Sequence, residues 1–264
     1  MSNALHVRST GAGEAVLVLH GLFGSGNNLG ALTRSLQADY AVHALDLPGH
    51  GRSSWLEHYS LENLAARVSG WLEERHLPAV HVVGHSLGGK VAMQLALTRP
   101  GQVRSLVVAD MAPVAYPAQH AAVLAALEAV ALAEPESRDD ALYCLRGHVA
   151  EAATQQFLLA SLYRDEQGVY RWRFDWQGLA RDYAMLSEAP TCAAAWPGPA
   201  LFIRGGNSHY VPDAYRPAIF SLFPAARIDT LDGCGHWVHV EQPQRFNGRV
   251  ARFLAEAATD IQAP

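Results

Sequence analysis

The chain is short of cysteine. Cys144, Cys192 and Cys234 are an odd, widely spaced set of three in 264 residues. A disulfide framework does not fit that count, and free thiols in a reducing, cytoplasmic setting are the expectation. No apolar run approaches the roughly 18 residues of a membrane span, and Met1 to Glu14 lack the charged-then-apolar layout of a signal peptide. Positive charge is scarce as well: 20 Lys and Arg stand against 25 Asp and Glu, for a net charge of −5. With no basic stripe and no polybasic tail, nucleic acid and membrane surfaces are not expected partners. His-Glu-X-X-His, Cys-X-X-Cys, calcium-loop and Gly-X-X-X-X-Gly-Lys-Ser/Thr patterns are all missing. No metal or cofactor is therefore implied.

What remains is half apolar, enough for one large core. Ala15–Leu19 and Ser105–Ala109 are apolar or near-apolar runs, and Ala41–Leu45 and Ala200–Arg204 resemble them. Such runs suit strands buried on both faces of a parallel sheet. Leu5–Ser9 and Ala226–Leu231 read as further strands. Helical patterns lie between them: Leu29–Gln37, a helix after Ser60 with Leu61, Leu64, Ala65, Val68 and Leu72 on one face, and a last helix carrying Phe246, Val250, Phe253 and Leu254. A short helix over Asp213–Leu222 is expected to be interrupted by Pro217. The alternation predicts an α/β fold with a doubly wound sheet. It lapses from Pro113 to Pro199, where no convincing strand is legible. That interval is too long for a loop. A mostly helical cap at 115–194 over a core of 1–114 and 195–264 is the expectation.

One stretch organises the rest. Val80-His81-Val82-Val83 runs into Gly84-His85-Ser86-Leu87-Gly88, and Leu87, Val91 and Leu95 then recur at helical spacing. Strand, sharp turn and helix are the setting of a nucleophile elbow, which presents the serine hydroxyl and aims the Leu87 amide at developing negative charge. A serine hydroxyl needs a base, and the base needs a carboxylate to orient it. Of thirteen histidines, His236 follows the last core strand in a glycine-rich turn. His20, His50 and His85 stand in the wrong order for the base. Among carboxylates Asp110 ends the strand after the elbow unit, with Asp213, Asp229 and Asp232 as rivals. Tyr170, Trp172, Phe174 and Trp176 either line a pocket or pack within the cap. Asp46–Ser53 reads as a structural turn.

His20-Gly21-Leu22-Phe23-Gly24-Ser25, Asp46-Leu47-Pro48-Gly49-His50-Gly51, Gly84-His85-Ser86-Leu87-Gly88-Gly89-Lys90 and Gly235-His236-Trp237 together resemble the α/β-hydrolase superfamily. With Asp110-Met111-Ala112-Pro113 and Gly205-Gly206-Asn207-Ser208 added, the chain is similar to the YbfF-type bacterial esterases. The resemblance implies an α/β-hydrolase fold with a helical cap, and hydrolysis of small-molecule acyl esters or acyl thioesters. The usual acid slot of the superfamily, counted back from Pro212, holds Ser208 here, so the resemblance assigns the acid to Asp110. It implies a site of Ser86, Asp110, Ser208 and His236, with Ser208 supporting the acid–base pair. The oxyanion donors are then the amides of Leu87 and Leu22, with Phe23 second. Two other readings keep the same residues: C–C hydrolysis, perhydrolysis or a lyase step, and a non-catalytic ligand-binding homologue.

Overall fold

The computed structural model describes residues 4–260. Its centre is a seven-stranded sheet of β1 (Val7–Thr10), β2 (Glu14–Leu19), β3 (Tyr40–Leu45), β4 (Val80–His85), β5 (Val103–Ala109), then, after an insertion holding β6 (Leu162–Arg164) and β7 (Tyr170–Trp172), β8 (Ala200–Gly205) and β9 (Ala226–Leu231). The order across the sheet is β1-β3-β2-β4-β5-β8-β9. Only β1 runs antiparallel to its neighbour. This is a mostly parallel sheet of the doubly wound α/β kind that the alternation predicts.

Side-chain alternation explains why the central strands are apolar throughout. Leu17, Leu19, Val82, Leu106 and Val108 enter one core, while Val16, Val18, Val83, Val107 and Ala109 enter the other. Each face is then covered by helices. α1 (Gly30–Leu36) packs with the C-terminal helix, and α2 (Leu61–Glu74) packs with α3 (Leu87–Thr98). Ser60 starts α2 by accepting the Asn63 amide at 3.2 Å, as a side-chain cap should.

Between β5 and β8 the chain forms α4 (Ala121–Ala133), α5 (Arg138–Arg146), α6 (Ala152–Ala160), α7 (Trp176–Arg181) and α8 (Tyr183–Ser187). It also forms the β6–β7 hairpin, which the sequence reading did not foresee. Strands of three residues are too short for alternation to register. Their turn is fixed locally instead, by Asp165 accepting the amides of Gln167 and Val169. After β8 come α9 (Arg216–Leu222), α10 (Val238–Glu241) and α11 (Pro243–Asp260). Pro217 lies in the first turn of α9 and opens that helix rather than interrupting it, since its missing amide is not needed there. No helix among the described residues is long and apolar enough to cross a membrane.

Candidate active site

The elbow lies where β4 meets α3. Ser86 has φ 54 and ψ −119, a conformation costly for a residue with a Cβ. The strain is held by neighbours: the Ser86 amide donates to Ala109 O on β5 at 3.1 Å, and Lys90 closes the first helical turn onto Ser86 O. Gly84 and Gly88 are required by contact. A Cβ on Gly84 would overlap the Gly88 carbonyl, and one on Gly88 would strike the Leu19 carbonyl. The Ser86 hydroxyl does not cap the helix it precedes, so it is left for chemistry.

Asp110, one strand over, is the second strained residue, with φ 51. Its amide donates to Ile203 O at 2.8 Å, which ties the end of β5 to β8. The carboxylate is fully buried and has three donors. Oδ1 accepts the Gly205 amide at 2.8 Å; Oδ2 accepts the Ser208 hydroxyl and His236 Nδ1, the latter at 2.8 Å. A buried carboxylate tolerates its loss of water only when so provided. With Nδ1–H directed at Asp110, the His236 ring carries its lone pair on Nε2. Asp213 faces solvent and pairs with Arg204 at 2.8 Å, and Asp229 pairs with Arg249. The structure thus brings Asp110, Ser208 and His236 into one hydrogen-bonded cluster at the strand ends, beside the elbow.

Leu22 and Leu87 line the same cleft as Ser86. Among the described residues neither amide donates a hydrogen bond to the protein, as an oxyanion donor requires. The Leu22 loop is a tight turn closed by Gly24 N donating to Gly21 O at 3.1 Å, with Phe23 at φ 61.

His20, His50 and His85, the other histidines of the strand-end loops, are structural. His20 Nε2 accepts the Leu47 amide at 2.9 Å, and Nδ1 donates to Gly21 O at 2.8 Å. Burial pushes His20 down to about 4 and His50 to about 3. His85 donates from Nε2 to the His236 carbonyl at 3.0 Å, and its ring sits 4.8 Å from that of His236 and 4.4 Å from that of His239. Burial, then the neighbouring His239 and His236, hold His85 well below the usual histidine value. Neutral His85 therefore braces the backbone of the loop that carries His236.

The turn at Asp46–Ser53 is structural but not incidental. Asp46 accepts the Gly26 amide at 2.7 Å and the Arg52 amide at 3.0 Å, which fixes the Leu22 loop from behind. Its far side meets the insertion, where Asp175 N donates to Gly49 O at 2.8 Å. Of the four aromatics, Trp172 packs within the insertion, while Phe174 packs across it onto Phe23, with ring centroids 5.0 Å apart, and onto His50. Trp172 and Phe174 are buried and stacked 5.3 Å apart, with Trp172 donating to Leu127 O inside the insertion.

Three contributors to the site carry no periodic sequence signal. Tyr210 stacks on His236 with centroids 4.0 Å apart, and Ser208 Oγ accepts its amide at 3.2 Å. Proximity to Ser208 was the only clue to it. Tyr116 donates to Tyr210 O at 2.6 Å and accepts the Ala112 amide at 2.9 Å. His120 lines the cleft with its Nδ1 2.5 Å from Tyr183 OH, and burial pushes it down to about 4.

The profile of the alpha/beta hydrolase family matches residues 16–249. The chain belongs to the α/β hydrolase family. This hydrolase is 35% identical to the esterase YbfF of Escherichia coli over 90% of its own length and 92% of that protein's. It is 38% identical to the sn-1-specific diacylglycerol lipase ABHD11 of mouse, over 91% of its own length and 81% of the lipase's. Among solved structures, a marine microorganism esterase superposes on the hydrolase with a TM-score of 0.92 at 32% identity, covering 96% of this chain and all of the other.

Proposed function

We propose that Ser86, His236 and Asp110 act as a triad that hydrolyses small-molecule carboxylic esters, acyl thioesters included, through an acyl-enzyme. The chain is a carboxylic ester hydrolase by family and by its esterase and lipase relatives. The observation that carries the triad is the 2.8 Å bond from His236 Nδ1 to a carboxylate that ends β5. Ser86 Oγ attacks the acyl carbonyl and its proton passes to His236 Nε2. Asp110 stabilises the imidazolium, while Ser208 and the Gly205 amide hold Asp110. The Leu22 and Leu87 amides donate to the oxyanion, each worth about 3 kcal/mol at the transition state. The alcohol or thiol leaves with the proton from His236. Water then attacks the acyl-enzyme, with His236 again taking a proton, and Ser86 is restored. The insertion at 115–194 caps the cleft, excludes water and shapes the acyl site. Unpaired Cys144, Cys192 and Cys234 suit a reducing, cytoplasmic setting.

The test is a fluorophosphonate probe together with a panel of aryl esters of rising acyl length, acyl thioesters and a peroxide control. Stoichiometric labelling of Ser86 with loss of ester turnover is expected. An unlabelled Ser86 with no turnover would make the chain a ligand binder, and oxidation products only with peroxide present would make it a perhydrolase.

A further inference from the structure

The two chain segments that lead into and out of the 115–194 insertion meet at α3, the helix that begins immediately after Ser86. Lys90, one turn along, is 2% exposed. Its Nζ donates to Val114 O at 3.0 Å on the outgoing segment, and to Ser187 O at 2.7 Å and Glu188 O at 2.5 Å on the returning one. Gln94, four residues on and so on the same helix face, grips the returning segment again: Nε2 donates to Thr191 O at 3.0 Å and Oε1 accepts the Thr191 amide at 2.9 Å. The segments are also joined directly, since Tyr116 N donates to Ser187 O at 2.9 Å. The Tyr116 ring lies 4.9 Å from Nζ.

An ammonium has three N–H bonds, and here three carbonyls take them. Lys90 therefore has no donor left for a substrate carboxylate or an oxyanion, although it lines the cleft with Ser86, Tyr116 and Ser187. A buried cation is costly unless fully paired, and packing alone would be met by an apolar side chain. The carbonyls that pair it lie more than seventy residues apart in sequence, 114 against 187 and 188.

We propose that Lys90 is a positioning residue: it fastens the neck of the insertion to the nucleophile's helix and so sets the acyl pocket's shape relative to Ser86. This rests on the esterase reading for its kinetic consequence, though not for the neck itself. The clamp also has a built-in pH limit. Burial pushes the Lys90 ammonium down to about 8, against the opposing pull of Glu188. Glu188 on the returning segment and the Tyr116 phenol on the outgoing one are the ionisable groups facing it. A neutral amine keeps two N–H bonds, so deprotonation leaves one carbonyl unserved. The neck should then loosen as pH rises through that value.

The experiment compares the full chain with Lys90→Met. Hydrogen exchange is read over 113–116 and 187–191, and KM and kcat over an ester series. Loss of a charged hydrogen-bond set predicts neck exchange faster by about tenfold or more. KM for long acyl esters should rise by a similar factor, with a smaller fall in kcat. The wild type's KM should climb above about pH 8; the variant's should be high and flat across that range. Unchanged neck exchange and unchanged KM would overturn the proposal. If the variant does not fold, exchange in the wild type decides. Neck protection that falls above about pH 8 while α2 protection holds supports the clamp; parallel loss in both overturns it. Absence of Ser86 labelling and ester turnover in the wild type would defeat the esterase reading, leaving the exchange result to judge the neck.

Discussion

Ser86→Ala should abolish ester turnover, with kcat lower by about 10⁶-fold, the loss typical when a triad serine is removed. The burst of leaving group seen on mixing with an activated aryl ester should vanish with it. Folding stability, read by urea denaturation, should barely change. The hydroxyl caps no helix, and alanine keeps the Cβ that the elbow already accommodates. Ser208 cannot stand in, because its hydroxyl is committed to Asp110 Oδ2. A variant that kept a burst at one-hundredth or more of the original rate, by this order-of-magnitude scale, would place the nucleophile elsewhere.

Asp110→Asn should cost about 10⁴-fold in kcat, by loss of the imidazolium's counter-charge and of the correct tautomer. The asparagine test is cleaner than alanine. Position 110 has φ 51, a region asparagine enters more readily than most residues, so the backbone should hold. An amide offers only one acceptor oxygen, however, and the native carboxylate serves Gly205 N, Ser208 Oγ and His236 Nδ1. At least one donor loses its partner, and an NH₂ group turned to His236 forces the proton onto Nε2, where the ring can no longer act as a base. Ser208→Ala, which removes one donor from Asp110, should cost about tenfold. Asp213→Asn breaks only solvent-facing pairs with Arg204 and Arg216 and should stay within about twofold. Similar small effects at 110 and 213 would remove Asp110 from the mechanism.

Ser86 and His236 were legible because each sits at a chain position that the sheet dictates, just after a strand recognisable by its apolar run. Asp110 was legible for the same reason once Ser208 was seen in the slot where the superfamily usually places its acid. The sheet was readable because burial on both faces leaves little choice of residue in β2, β4 and β5. The helical insertion was readable as an interval, but the side chains that it and the loop after β8 bring to the site were not. Tyr116, His120 and Tyr210 reach the cleft through tertiary packing, and nothing in local spacing marks them. Lys90 illustrates the limit well: within Gly88-Gly89-Lys90 it reads as an ordinary helix residue, and only the return of the chain at Ser187 and Glu188 reveals what its ammonium serves. The β6–β7 hairpin was missed because three residues cannot display a period.

Ser86 and Asp110 end adjacent strands, both in the left-handed region, with Ser86 N bonded to Ala109 O. Glycine would relieve either position of its conformational penalty, of order 1 kcal/mol or more each. Selection for thermal tolerance alone would thus favour Ser86→Gly, with a higher Tm by calorimetry and no ester turnover, whereas glycine at 110 would leave Gly205 N, Ser208 Oγ and His236 Nδ1 without their acceptor and lower the Tm. Heat-resistant libraries of this hydrolase should accordingly be sequenced at codon 86 first, because robustness and reactivity compete there for the same backbone.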